Sequence, residues 1–383
     1  MEETLLYLYF NPKPRDRIQE LTYAGIRRYA AAVGWKTEVW SRARPDGLAA
    51  FLKAHHPVAG CVVECSDDNG SLPPRLFGPV PVVYLHARPS LYGTGVARVG
   101  IDDEAVARAA FRELAAVRPS SYAVVGDARL FSWSGLRERA FRALAEAAGA
   151  ECRVFPHVSD ATRRAARLSS WIARLPPRAA VFAVNDFAAE DVVRAARAAG
   201  RSIPRDLALV GVDDNEAVCR SVSPAVSSIR LDFEREGYMA AQLVGKTRLG
   251  LKGADEAVSV PPLMTVRRDS TGGSGRRDPH VLQAVERIRR EACNGLEAAA
   301  VIARAPGSKS LFNQRFREAT GHSVHDEIER VRLDKAFALL SQTDTSVGAI
   351  AGLCGYRTHI ALHKAFRLRT GMSMSEWRAR FRT

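Results

Sequence analysis

Residues 316–323 read Phe316-Arg317-Glu318-Ala319-Thr320-Gly321-His322-Ser323, and residues 366–373 read Phe366-Arg367-Leu368-Arg369-Thr370-Gly371-Met372-Ser373. Five of the eight positions are identical at an offset of 50 residues. Each copy ends a basic helix on Gly, which takes the left-handed turn, and offers a Ser hydroxyl to cap the next helix. Ahead of each copy lie a short apolar helix, a glycine turn and a polar-basic helix. These are 296–303, Arg304-Ala305-Pro306-Gly307 and 308–316, then 346–353, Cys354-Gly355-Tyr356 and 357–366. That order is the helix-turn-helix plan, present twice.

In such a unit the second helix packs one face on its partner and lays the other in the DNA major groove. Leu311, Phe312 and Phe316 are expected to face inward in the first unit, and Ile360, Leu362, Ala365 and Phe366 in the second. The candidates for DNA contact are then Ser308, Lys309, Asn313, Gln314 and Arg315, with Arg357, Thr358, His359, His363 and Lys364. Arg and Lys suit guanine, Asn and Gln adenine. Simple solvation of a helix face explains any single one equally well; the duplication carries the reading. A helix over 324–340, about 25 Å long at 1.5 Å per residue, separates the units and sets them near one turn of DNA apart.

Charge agrees with this placement. From Arg276 to Thr383 there are 19 Lys+Arg against 11 Asp+Glu, whereas the preceding 275 residues hold 37 against 31. The net +14 of the 383-residue chain is therefore densest at the carboxyl end, as expected of a nucleic-acid-binding domain. The boundary falls in Arg267-Arg-Asp-Ser-Thr-Gly-Gly-Ser-Gly-Arg-Arg-Asp-Pro-His280, a flexible linker by composition. We assign 1–267 to one domain, 268–279 to the linker and 280–383 to the helical domain, with helices expected over 279–292, 296–303, 308–319, 324–340, 346–354, 358–369 and 375–381.

In 1–267, short Val/Ile/Leu-rich runs alternate with amphipathic segments. Strands are expected over 5–10, 37–40, 59–63, 80–85, 121–125, 179–183 and 207–212, and helices over 17–33, 103–117, 134–148, 161–175, 187–199 and 234–249. Two extended pieces follow at 257–260 and 264–267. Such alternation means parallel sheets with crossover helices. Asp186 and Asp213 directly follow apolar strands, where ligands bind in doubly wound sheets, although an isolated Asp there also serves as a helix N-cap.

Two resemblances follow from these residues. The stretch 296–378 resembles the AraC/XylS-type DNA-binding domain through its Ala-Pro-Gly-Ser turn, Phe316-Arg317, Arg332-Leu333-Asp334-Lys335-Ala336, Leu339-Leu340, Ile350-Ala351, Cys354-Gly355-Tyr356 and Phe366-Arg367. It departs from that family in having Ala361-Leu362 where an aromatic is usual and Met374 where Pro is common. Ala179 to Phe187, Ile203 to Asp214, Ser223 to Ile229 and Glu236 to Leu243 resemble the LacI/GalR-type sensor, a two-lobed periplasmic-binding-protein-like α/β fold. Here no DNA-binding domain is expected ahead of the first strand. The implied fold is such a sensor followed by an all-α domain with two helix-turn-helix units.

The resemblance implies a sugar effector, xylose or a related sugar, bound by Asp186, Asp213, Arg137, Trp133, Asp16 and Arg17. Carboxylates and an Arg fork suit hydroxyls, and an indole face suits the C–H side of a sugar ring; a core role for Trp133 fits equally well. It further implies an activator working as a homodimer on double-stranded operator DNA, with RNA polymerase as partner.

Other classes are excluded or disfavoured. No run is long and apolar enough to span a bilayer, and an acidic Met1-Glu2-Glu3 start is unlike a signal peptide, so a soluble cytoplasmic protein is expected. Six cysteines without a Cys-x-x-Cys pair imply neither a disulfide framework nor a metal, and no cofactor is expected. A soluble sugar-binding protein or a nucleotide-dependent enzyme on a Rossmann-like fold is the alternative. Its support, Gly93-Thr94-Gly95-Val96-Ala97-Arg98, lacks the third glycine.

Overall fold

Strands covered on both faces read as continuous apolar runs, and β1 (Thr4–Tyr9) is buried at all six positions. In the computed structural model, which describes residues 3–9, 17–41, 47–64, 72–86, 96–129, 131–248, 256–272, 279–320 and 322–381, β1 pairs in parallel with β2 (Lys36–Ser41) and β3 (Val58–Glu64). The first sheet continues through β4 (Val82–Leu85) and β5 (Ala97–Ile101) to β11 (Ala257–Val260). The second runs β7 (Cys152–Val154), β6 (Ser121–Val125), β8 (Ala179–Ala183), β9 (Leu207–Val212), β10 (Ser227–Arg230) and β12 (Met264–Val266). Only the β10–β12 pair is antiparallel among the described residues. The chain changes sheets after β5, after β10 and between β11 and β12, so three crossovers hinge two lobes.

Eight helices cover the sheets: α1 (Arg17–Val33), α2 (Leu48–Ala54), α3 (Asp103–Ala115), α4 (Ser132–Ala147), α5 (Ala161–Ala173), α6 (Asp186–Ala198), α7 (Glu216–Ser221) and α8 (Phe233–Arg248), counted among the described residues. Helices α1, α2 and α8 belong to lobe one and the others to lobe two. Gly25 and Gly237 let α1 and α8 meet backbone to backbone. A Cβ on Gly25 would lie 1.8 Å from the Glu234 carbonyl oxygen, and one on Gly237 2.0 Å from that of Thr22. Any side chain there must push the pair apart.

Strands β5, β7 and β10 and helices α2 and α7 escaped the sequence reading. Polar β10 hid itself: Ser227 and Ser228 are fully buried because their hydroxyls bond to Thr271 (2.9 Å) and to Asp186 (2.7 Å). Ala97 and Arg98 of the glycine-rich stretch are themselves part of β5, where a dinucleotide fingerprint would open a helix; residues 93–95 lie outside the described residues. The boundary also shifts. Five residues assigned to the linker, 268–272, are packed on lobe two: Ser270 donates to the Leu209 carbonyl at 2.6 Å, and Arg268, Ser270 and Thr271 are buried. Composition misled because a short Ser/Thr run satisfies buried backbone as readily as it solvates a linker.

The helical domain comprises α9 (Pro279–Glu291), α10 (Ala298–Ile302), α11 (Lys309–Thr320), α12 (Val324–Gln342), α13 (Val347–Leu353), α14 (His359–Thr370) and α15 (Met374–Phe381). The first unit builds a core from Val285, Ile288, Phe312, Phe316 and Ile328 that includes Met264 and Val266 of β12. The second closes its own core around Leu340, Ile350, Leu362 and Phe366. Helix α12 runs through both.

Candidate ligand cleft and nucleic-acid interface

The carboxyl ends of β8 and β9 bring Asp186 and Asp213 to one edge of lobe two. Neither is an N-cap: Asn185 caps α6 and Asn215 caps α7. Asp186 is 1% exposed, and its oxygens accept from the Ser228 hydroxyl at 2.7 Å and the Asn215 N–H at 2.7 Å. Burial first, then the Asp213 carboxylate, push its pKa up to about 8. Asp186 thus shapes the edge from beneath.

Asp213 is half-buried and sits at φ +101°, next to Asp214 at φ +49°. Two consecutive non-glycine residues in the left-handed region are strained and persist only when firmly held. The hold is Asp214, fully buried, bound by Arg268 and by Arg230 at 2.7 Å, while its own N–H donates to the Ser228 hydroxyl at 2.9 Å. This leaves the Asp213 side chain directed toward Arg137, whose Nη1 lies 4.0 Å away.

Arg137 is buried and fixed by Asp103 (2.8 Å) and the Val184 carbonyl (2.8 Å), with its guanidinium 4.7 Å from the Trp133 ring centroid. Burial raises the Asp103 pKa and Arg137 opposes that rise. Trp133 also stacks on Phe131 at 5.4 Å. Across the cleft, Arg17 of α1 donates to the Asp214 carbonyl at 3.0 Å; Asp16 lies outside the described residues. Five of the six expected ligand residues are thus placed, with Asp213, Arg137 and Trp133 together, Asp186 below and Arg17 opposite.

The sequence reading missed Asp103, Asp127 and Asn185, the last donating to Asp127 at 2.8 Å. It quoted Asp214 without a role. A doubled Asp after an apolar strand was the available signal, since only one of the two can face the cleft. A cavity of about 820 Å³ runs from Arg17, Phe187 and Asp213 to Glu286 and Arg289 of α9, joining the cleft edge to the helical domain.

In that domain, Ser308 and Thr358 accept from the N–H groups of Leu311 (3.2 Å) and Ala361 (3.2 Å) and so cap the second helix of each unit. Lys309, Gln314, Arg315, Arg357, His359 and Lys364 are exposed, and Asn313 and His363 half-buried. Two inward assignments are overturned: Ile360 is 67% exposed and Leu311 41%. Phe312 and Leu362, also expected inward, do fill those cores, because α11 and α14 turn on the Phe316 and Phe366 anchors. Ile360 therefore stands on the outer face beside His359 and Lys364.

A periplasmic binding protein-like domain matches residues 99–271, and a helix-turn-helix domain matches 302–380. The chain thus joins a periplasmic binding protein-like domain to a carboxyl-terminal helix-turn-helix domain, the order expected of an AraC/XylS-type regulator with such a sensor. It is similar to the xylose operon regulatory protein of Escherichia coli K12, 27% identical over 73% of each chain. With that of Haemophilus influenzae it shares 28% over 58% of this chain and 57% of the relative, little more than half that relative's length. A solved xylose-binding transcription activator covers 98% of both chains at 24% identity and TM-score 0.57, a likeness of fold. No helix among the described residues is long and apolar enough to cross a membrane.

Proposed function

We propose that this regulator is sugar-responsive: a cytoplasmic activator of a carbohydrate catabolic operon that takes xylose or a related sugar between Asp213, Arg137 and Trp133 on one lobe and Arg17 on the other, with Asp16 as a further ligand residue on the sequence resemblance alone. Asp186 supports that edge from below. The carrying observation is the pairing of a strained, externally held Asp213 with a buried Arg137 and an indole face at a lobe edge. Such a constellation matches a ring of hydroxyls with one apolar side. The relatives named for xylose point the same way.

Its output is double-stranded operator DNA, read by the exposed faces of α11 and α14, with Ser308, Lys309, Asn313, Gln314 and Arg315 in the first unit and Arg357, Thr358, His359, His363 and Lys364 in the second. We also propose a homodimer that engages RNA polymerase. Helix α1 offers that dimer little, since α8 and α12 cover it. A thermal-shift panel of pentoses and hexoses tests the effector, because a ligand that binds only the folded chain raises its melting temperature. Xylose should raise it and Asp213→Asn should abolish the rise; an unchanged response removes Asp213 from the site.

A further inference from the structure

Helix α4 presents Trp133 and Arg137 to the cleft edge beside Asp213. Another of its faces, with Ser132, Gly135, Leu136 and Arg139, lines a separate cavity of about 610 Å³ in lobe two. Opposite that face lie Gly126 and Asp127 beyond β6, the end of β7 through His157, and Arg164 of α5. A volume of this size suits a small organic molecule.

Arg164 is only 4% exposed. Its Nη2 donates to the Gly126 carbonyl at 2.6 Å, and its guanidinium stands 5.3 Å from the Phe155 ring centroid. Its Nε has no hydrogen-bond partner among the described residues; the Asp191 carboxylate, half in water, lies 3.7 Å away. A buried charged donor left unbonded is costly, so a group that accepts from it gains more than it would in water. The first turn of α4 adds to this pull, because no side chain caps it at Phe131 and a helix start favours an anion.

Two carboxylates share the cavity. Asp127 already accepts from the Arg129 N–H and the Asn185 side chain, each at 2.8 Å. Burial raises the pKa of Glu138, against the pull of Arg142 and Arg139, so its carboxyl takes up a proton more readily than an exposed one. The rest of the lining is largely apolar, with Phe155 buried and Leu136 48% exposed at the mouth. Such walls would strip a sugar's hydroxyls of water without replacing their hydrogen bonds.

We propose that this cavity is a second ligand site, apart from the sugar cleft, for a small organic acid whose carboxylate meets Arg164 Nε and the start of α4 and whose apolar body lies against Phe155 and Leu136. It gives the sensor a second chemical input of opposite character to the first.

The experiment titrates the full chain by calorimetry with three probes: benzoate, benzyl alcohol and inorganic phosphate. Benzoate should bind about tenfold more tightly than either of the others, since only it uses both the charge and the walls. Hydrogen exchange with saturating benzoate should show protection over 131–139 and 154–164 and none over 17–28 or 213–218. Arg164→Gln should weaken benzoate about tenfold. Because Arg164 also holds the Gly126 carbonyl, Leu136→Glu supplies a variant on an exposed side chain, which should abolish benzoate binding with the melting temperature unmoved. Benzyl alcohol or phosphate binding as tightly as benzoate overturns the proposal, by removing the role of the charge or of the walls. So does benzoate protection elsewhere, benzoate binding that survives Leu136→Glu, or a folded wild type that does not bind benzoate at millimolar concentration.

Discussion

The sensor and the helical domain keep their polar side chains in opposite states. At the cleft edge Asp186, Asp214 and Arg137 are buried and bonded to protein, and only Asp213 is left partly open. On the outer faces of α11 and α14, Lys309, Gln314, Arg315 and Lys364 stand in water on capped helices. A small neutral ligand offers a few hydroxyls, so its site gains from dipoles fixed in advance in a low dielectric. A polyanion brings its own field, and exposed cations answer it by releasing counterions without prior burial.

If that contrast is right, the same kind of truncation should act on folding in one region and on binding in the other. Asp214→Ala leaves Arg230 and Arg268 buried without their carboxylate and should cost the sensor about 3–5 kcal/mol, read as a lower denaturant midpoint. Arg315→Ala should leave the melting curve within about 0.5 kcal/mol of wild type and weaken operator binding by about 1–3 kcal/mol. A stability loss at Arg315 to match that at Asp214 would erase the distinction.

Ile360→Ala sharpens the comparison on the DNA side. An exposed apolar side chain beside His359 and Lys364 is suited to a thymine methyl, so its loss should cost about 1 kcal/mol at one base position and relax preference there. Operator variants at each position, measured by titration, locate it; an equal loss on all of them counts against a methyl contact.

The remaining test on the sensor side is a pH dependence at Asp186. Its pKa is raised from 3.8 to about 8 in the folded chain, so the folded state binds the extra proton. Its contribution is present in full below about pH 4 and is lost as pH rises through about 8. Asp186→Asn, a neutral near-isostere, should match wild type in acid and become relatively more stable toward pH 8, measured as the difference in unfolding midpoint along a pH series.

The parts legible in the sequence were those where one physical demand governed the residues. Strands β1, β8 and β9 are apolar on both faces, and helix α1 runs over 17–33 as its apolar spacing requires. The repeat at Phe316 and Phe366 located both helix-turn-helix units because those rings anchor both cores. Strand β10 and residues 268–272 were illegible because tertiary partners, not local pattern, make their serines and threonines buried. The same applies to Asp214, whose role depends on Arg230 and Arg268 arriving from 16 and 54 residues away. Ile360 was read inward because periodicity alone allows two neighbouring stripes on one short helix, and only the packing of Leu362 chooses between them.

The core that the first helix-turn-helix unit shares with β12 limits how the protein can be divided. A fragment begun at residue 280, the obvious cut for a DNA-binding preparation, leaves Met264 and Val266 behind. The apolar side of Val281, Val285 and Phe312 that they help cover would then meet water, the kind of surface that brings copies together and out of solution. The sensor is in this respect a solubility partner for the reader, and the linker between them is not a place where the two can be exchanged freely.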